Sequence, residues 1–224
     1  CSPDFGTQGV LDRFGQIEPK LLFAADQYFY NGRAIDCSER INEVRAKLPT
    51  VDSVIILPYD TDAPAPLSDH SMISLADFIE PYAATEIEFQ RFDFNHPLYI
   101  LFSSGTTGVP KCIVHGAGGT LIQHLKDHLL QTDVKPGDRV FYFTTLGWMM
   151  WNWLVSGLAA GATILLYDGS PFYPDGNSLF DFADKSKMTH FGTSAKFVDA
   201  AKNAKLDPME THDLSSVRTL MPTG

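Results

Sequence analysis

Between Tyr99 and Lys111 the chain reads YILFSSGTTGVPK: an apolar, strand-like run leads into glycines and hydroxyls and ends at Pro110-Lys111. Gly105 and Gly108 let backbone N–H groups turn toward an anion and approach it closely, where larger residues would hinder both. Ser103, Ser104, Thr106 and Thr107 add hydroxyl donors, and Lys111 adds a flexible positive charge able to follow a phosphate during reaction. Together these residue types can hold a nucleotide polyphosphate.

The plainer alternative is a Gly/Ser/Thr turn between two buried elements, but an ordered SSGTTGxPK string after a strand exceeds what a turn requires. A Walker-type loop fails on spacing. Its lysine is followed by a magnesium-binding Ser or Thr, whereas Cys112 follows Lys111 and Pro110 precedes it. A dinucleotide fingerprint fails as well, since no G-x-G-x-x-G opens a helix here. No G-x-S-x-G elbow occurs, which leaves a hydrolase triad without a nucleophile.

The S-G-T-T-G-x-P-K string resembles the phosphate-binding signature of the adenylate-forming superfamily, which includes acyl-CoA synthetases, luciferases and peptide-synthetase adenylation domains. The flanks HPLYILFSSGTTGVPKCIVHGAGGTLIQHLKDHLL, TTLGWMMWNWLVSGLAAGATILLYDGSP and SPDFGTQGVLDRFGQIEPK are similar to the acetoacetyl-CoA synthetase family. The likeness runs over nearly the whole chain. It implies a ligase that joins acetoacetate to CoA at the expense of ATP, through an acetoacetyl-adenylate, in lipid and ketone-body metabolism. ATP, Mg2+ and CoA are the cofactors and co-substrates it implies.

The same resemblance assigns roles residue by residue. Ser103, Ser104, Gly105, Thr106, Thr107, Gly108, Lys111 and Gly224 are expected around the nucleotide, with Thr106 and Thr107 assisting magnesium and Lys111 and Thr106 in catalysis. His115 would orient a carboxylate or phosphate; a neutral structural histidine is the equal alternative. Trp148, Met149, Met150 and Thr223 would line the acyl pocket, where flexible thioethers suit a short keto-acid. Acetyl-CoA synthetases differ at both methionine positions, which favours another acyl substrate. Acetyl- or propionyl-CoA synthetase and a non-catalytic nucleotide-binding module stand as alternatives. Trp151 and Trp153 are read as core packing.

Composition limits the remaining classes. With 224 residues and 44% hydrophobic content the chain can bury a substantial core. A formal charge of -10 argues against a broad nucleic-acid footprint. Cys1, Cys37 and Cys112 are odd in number and lack C-x-x-C spacing, so a reducing, cytoplasmic setting is expected instead of a disulfide scaffold or zinc knuckle. His124 and His128 have two-histidine metal spacing, but Leu125 stands where the zincin pattern needs Glu; they are read as surface histidines. No formal charge occurs from Val140 to Tyr167, and about 20 apolar residues suffice to span a bilayer. Thr144, Thr145, Gly147, Asn152, Gly157 and Gly161 divide that run into strand, helix and strand of a buried unit.

The elements that must position these residues follow from periodicity. KLLFAA at 20–25, a helix from Ser38 to Lys47 capped by Ser38, and VDSVIILP at 51–58 form a βαβ crossover, the signature of a parallel sheet. Residues 59–96 are a polar, proline-punctuated connection with a short helix at Leu75 to Ile79. Cys112 to His115 are expected to return as a strand; Thr120 is expected to cap a helix that turns Leu121, Ile122, Leu125 and Leu129 inward. Strands are expected at 139–143, 162–167, 189–192 and 217–221, and helices at 149–160, 178–187 and 195–204.

The expected fold is α/β, a layered α/β/α arrangement with largely parallel sheets, an incomplete adenylate-forming N-terminal domain. Its parts are 1–58, 59–96 and 97–224. The chain opens on Cys1 and stops at Met221-Pro222-Thr223-Gly224 after a strand-like run, so an interior piece of a longer protein is expected. The resemblance places a magnesium-binding glutamate, a ribose-binding aspartate and a C-terminal domain with a catalytic lysine beyond Gly224.

Overall fold

The computed structural model describes residues 1, 5–62, 72–103 and 108–223. They fall into two compact units: residues 5–62, 72–93, 98–103 and 108–114 in the first, 94–97 and 115–223 in the second.

In the first unit, helix α1 (Gly6–Phe14) precedes strand β1 (Leu21–Ala25), a hairpin of β2 (Gln27–Tyr30) and β3 (Arg33–Asp36), helix α2 (Ser38–Ala46) and strand β4 (Ser53–Leu57). Strand β5 (Met72–Ser74) and helix α3 (Leu75–Ile79) follow. β1, β4 and β5 form a parallel sheet in the order β1-β4-β5, as the crossover pattern requires. Val54 and Ile56 on one face of β4 pack with Ile41, Val44 and Leu48 from α2 and its exit. Val10, Leu11 and Phe14 of α1 close that cluster. Each such fully buried aliphatic side chain contributes about 1.5–3 kcal/mol.

The hairpin was not foreseen; its turn, Asn31-Gly32, has φ of +50° and +75°, the left-handed pair that a tight two-residue connection needs. Buried Asp26 accepts hydrogen bonds from the N–H groups of Gln27 and Tyr59, both at 2.8 Å, and so ties the start of the hairpin to the exit of β4. Ser38 does not cap α2 with its side chain. The Asp36 carboxylate accepts the Ser38 N–H at 2.7 Å instead, so the oxygen comes from two residues earlier.

Strand β6 (Pro97–Phe102) pairs with β7 (Cys112–Gly116) as a two-stranded sheet. In the second unit, helix α4 (Ala117–Lys126) continues into a π-helical turn at Asp127–Gln131. Then come β8 (Arg139–Tyr142), α5 (Met149–Ser156) with a 3-10 turn at Gly157–Ala160, β9 (Thr163–Leu165), α6 (Ser178–Ser186), β10 (His190–Ser194), α7 (Ala195–Asn203), α8 (Pro208–Thr211) and β11 (Thr219–Thr223). The four strands run parallel in the order β11-β10-β8-β9.

Alternation along β8 sends Phe141 to one face and Val140 with Tyr142 to the other. The Phe141 face packs against Leu179, Phe180 and Ala183 of α6 and Phe197 and Ala201 of α7. The opposite face packs against Trp153 and Leu154 of α5. This is the α/β/α layering, and it explains the uncharged run from Val140 to Tyr167: strands covered on both faces are apolar throughout. Gly161, with φ of +76°, ends the α5 segment in the left-handed conformation. Among the described residues no helix is long and apolar enough to cross a membrane.

The start and the orientation of α4 differ from expectation. Thr120 lies inside the helix, which begins at Ala117 with Gly116 before it. The N–H groups of Ala117 and Gly118 are satisfied by the carbonyls of His96 and Phe94 at 2.8 and 2.9 Å, so backbone replaces the side-chain cap. Gly118 is needed there because a Cβ would stand 2.2 Å from the Phe94 ring.

His124 and His128, expected at the surface, are buried, while Leu121, Ile122 and Leu129, expected inside, are exposed. The physical reason is polar satisfaction. His128 Nε2 finds the Trp153 carbonyl at 2.9 Å and Ser156 Oγ at 3.0 Å, and its ring lies 4.2 Å from the Trp153 ring.

Candidate active site

The base of the glycine-hydroxyl loop is closed by two hydrogen bonds. Ser103 N–H donates to the Lys111 carbonyl at 3.0 Å, and Lys111 N–H donates to Ser103 Oγ at 3.1 Å. These bonds join the end of β6 to the start of β7. Gly108 has φ of +150°, a conformation that favours glycine. The Lys111 side chain is exposed. Ser104, Gly105, Thr106, Thr107 and Gly224 lie outside the described residues.

A residue that sequence reasoning missed also holds this loop. Gln16, just past α1, donates from Nε2 to the Pro110 carbonyl at 2.8 Å, and its Oε1 accepts from the Cys112 thiol at 3.6 Å. One amide therefore grips both sides of Lys111. The sequence signal was faint: a glutamine after a short helix, 94 positions before its partner. Pro110 is buried and Cys112 exposed, and all three cysteines are free thiols.

The residues expected around the acyl group lie in the second unit, with His115. Trp148 and Met149 are exposed, and Met150 is partly buried against the cluster of Val140, Tyr142, Trp153 and Leu154. Thr223 ends β11, and its Oγ1 lies 2.5 Å from the Tyr142 hydroxyl. Tyr142 thus meets both ends of this group, since Met150 packs on the same cluster. Trp153 is in the core as expected; Trp151 is half-buried. The residues expected around the phosphates and those expected around the acyl group belong to different compact units.

Electrostatics of the second unit are set by its interior. Burial pushes the His128 imidazole below its ordinary range, only partly offset by the Trp153 carbonyl. Burial lowers His124 too, against the nearby Asp127 carboxylate. With Nε2 facing a carbonyl, His128 carries its proton there, and Nδ1 has no hydrogen-bond partner among the described residues. Burial pushes the Asp138 carboxyl up, but hydrogen bonds from Arg218 and the Lys135 N–H, both at 2.7 Å, leave it below the usual range. Among the described residues no group of three or more His, Cys, Asp or Glu side chains is placed to hold a metal ion.

The AMP-binding enzyme family profile matches residues 1–224. The chain is 58% identical over 228 residues to an acetoacetyl-coenzyme A synthetase of Rhizobium meliloti (strain 1021), and 46% identical over 230 residues to an acetoacetyl-CoA synthetase of Gallus gallus. Each alignment takes in 100% of this chain and 34% of the relative. The solved structure of the acetoacetyl-CoA synthetase from Streptomyces lividans superposes with a TM-score of 0.92 at 44% identity, over 100% of this chain and 34% of that one. The chain therefore spans about a third of the length of the relatives it matches. With a doubly covered parallel sheet and a family match over residues 1–224, this chain belongs to the AMP-binding enzyme family.

Proposed function

We propose that this chain carries the phosphate-holding and acyl-selecting parts of an AMP-forming acid-thiol ligase that makes acetoacetyl-CoA from acetoacetate, ATP and CoA. The observation that carries the reading is the Ser103–Lys111 closure, which ties together the two ends of the string SSGTTGVPK, whose hydroxyls, glycines and one lysine suit an anion.

In the first half-reaction an acetoacetate oxygen attacks the α-phosphorus of ATP. A bond forms from that oxygen to phosphorus, the bridge to the β-phosphate breaks, and pyrophosphate leaves. Two anions must be brought together, so the protein's work is alignment and positive charge. Ser103, Ser104, Gly105, Thr106, Thr107, Gly108 and Lys111 hold the β- and γ-phosphates. Thr106 and Thr107 would assist a magnesium ion at the phosphates, which would offset their negative charge. His115 orients the carboxylate or a phosphate, Gly224 approaches the nucleotide, and Trp148, Met149, Met150 and Thr223 line the acyl group. In the second half-reaction the CoA sulfur takes the acyl group and AMP leaves.

The reading places the protein in the cytoplasm, in ketone-body use and fatty acid metabolism; three free thiols fit a reducing setting. Because the relatives are about three times longer, the activity is assigned to the full-length protein, and the isolated 224 residues should turn over no substrate. The test is ATP–pyrophosphate exchange by the full-length protein on acetoacetate and on acetate. Faster exchange with acetoacetate is expected. Equal or better rates with acetate would move the substrate to acetate or propionate, and nucleotide binding without exchange on either acid would leave a binding module.

A further inference from the structure

Tyr142 has no role in the chemistry described so far, yet its placement is costly. It is 4% exposed, on β8, and its hydroxyl reaches Thr223 on β11, although β10 lies between those two strands. The crossing passes over Gly192, in register with Tyr142 on one side and with Met221 on the other. A Cβ on Gly192 would stand 2.1 Å from Tyr142 Cδ2, so the central strand gives up a side chain to let the ring lie across it. The far edge of the ring is held by Trp153, with centroids 6.0 Å apart and planes at 72°. A buried phenol is thereby fixed so that it serves one hydroxyl at an exposed strand end.

Two hydroxyls 2.5 Å apart share one proton between them along the bond, and either can donate. A phenol is the more acidic of the two, and a buried O–H needs an acceptor; Tyr142 donating to Thr223 Oγ1 meets both conditions. Thr223 then keeps its own O–H for a partner on its other side. We infer that Tyr142 and Thr223 form a donor relay that points the Thr223 hydroxyl proton at a hydrogen-bond acceptor on the acyl group, favouring acids with a second carbonyl over acids with a methylene there. This rests on the acyl-side role proposed for Thr223. Tyr142 acts through Thr223 and is a positioning residue.

The test compares acetoacetate with butanoate, which has CH2 where acetoacetate has its keto group, in ATP–pyrophosphate exchange by the full-length protein. Loss of one hydrogen bond to substrate costs about tenfold in kcat/KM. Tyr142→Phe keeps the ring over Gly192, so it should lower kcat/KM for acetoacetate by about that factor while butanoate changes less than about twofold. Thr223→Val should likewise lower the ratio of acetoacetate to butanoate kcat/KM, Thr223→Ser should keep the preference, and Tyr142→Phe with Thr223→Val should cost that ratio no more than either alone. Thr223 is at an exposed strand end, so its variants still decide the matter if Tyr142→Phe fails to fold. Equal losses on both acids, or an unchanged preference, with a wild type that activates acetoacetate, overturn the relay and leave the proposed function standing. A wild type inert toward acetoacetate overturns both.

Discussion

His128 and Trp153 are bound twice: the imidazole Nε2 lies 2.9 Å from the Trp153 carbonyl, and the two rings lie 4.2 Å apart at 35°. The pair joins the π-helical turn after α4 to α5, directly behind the segment that begins with Met149 and Met150. It also commits the fold to a neutral imidazole, because Nδ1 is buried without an acceptor among the described residues.

A pH dependence follows. Burial holds His128 and His124 below their ordinary range, so the unfolded chain takes up protons at these sites more readily than the folded one. Their stabilising contribution is whole above the unfolded value of about 6.5 and is lost progressively as pH falls below it. Urea unfolding of the full-length protein at pH 7.5, 6.5 and 5.5 should show falling stability, and His128→Gln should flatten the slope even if it lowers stability overall. A level profile across this interval would count against the buried neutral pair.

Gly192→Ala should be among the most damaging single-methyl additions in the second unit. The new Cβ would meet the Tyr142 ring at 2.1 Å, and the ring is pinned by Trp153 and Thr223. Overpacking of this kind costs about 1–3 kcal/mol, occasionally more, and Tm should fall by about 2–4 °C per kcal/mol in a domain of this size. A thermal melt unchanged within error would mean the ring moves aside freely.

Lys111→Ala in the full-length protein should slow adenylation by about 100-fold or more, the scale of removing one preorganised charge donor from a transition state. The side chain is exposed, so the melt should barely move. A lowered melt with unchanged exchange kinetics would return Lys111 to a structural role.

Gln16→Ala tests whether the grip on Pro110 and Cys112 matters to the loop. Removing one amide at an exposed site should change stability by about 0.5–1.5 kcal/mol at most. The expected signature is kinetic: KM for ATP rises several-fold, on the order of 1 kcal/mol of lost positioning, because the loop base is no longer held on both sides of Lys111. Unchanged KM would show that the Ser103–Lys111 closure suffices.

Much of this molecule was legible in the amino-acid order because the responsible forces act over short stretches. The reading of the string from Ser103 to Lys111 as a phosphate loop rests on residue types alone. Helices at Leu75–Ile79 and Met149–Ser156, and the parallel pairing of β1 with β4, follow from apolar spacing and from a crossover too long for a hairpin. The phase of α4 was not legible. Leucines on both flanks of the histidines gave an apolar pattern pointing one way, and a carbonyl and a hydroxyl from α5 turned the helix the other way. Ser38 and Thr120 read as caps, yet Asp36 and the backbone of Phe94 and His96 supplied the acceptors.

The sequence by itself settled that a strand would deliver a small-residue, hydroxylated loop with one lysine, and that apolar strands would alternate with helices. Tertiary structure alone decided that Gln16 reaches Pro110, that His128 is neutral inside, and that Tyr142 crosses Gly192 to hold Thr223. The division has a physical cause: propensity, turn chemistry and periodicity act between near neighbours. Strand order and the partner of a buried polar atom depend on groups tens of positions away, which meet only once the sheet has formed.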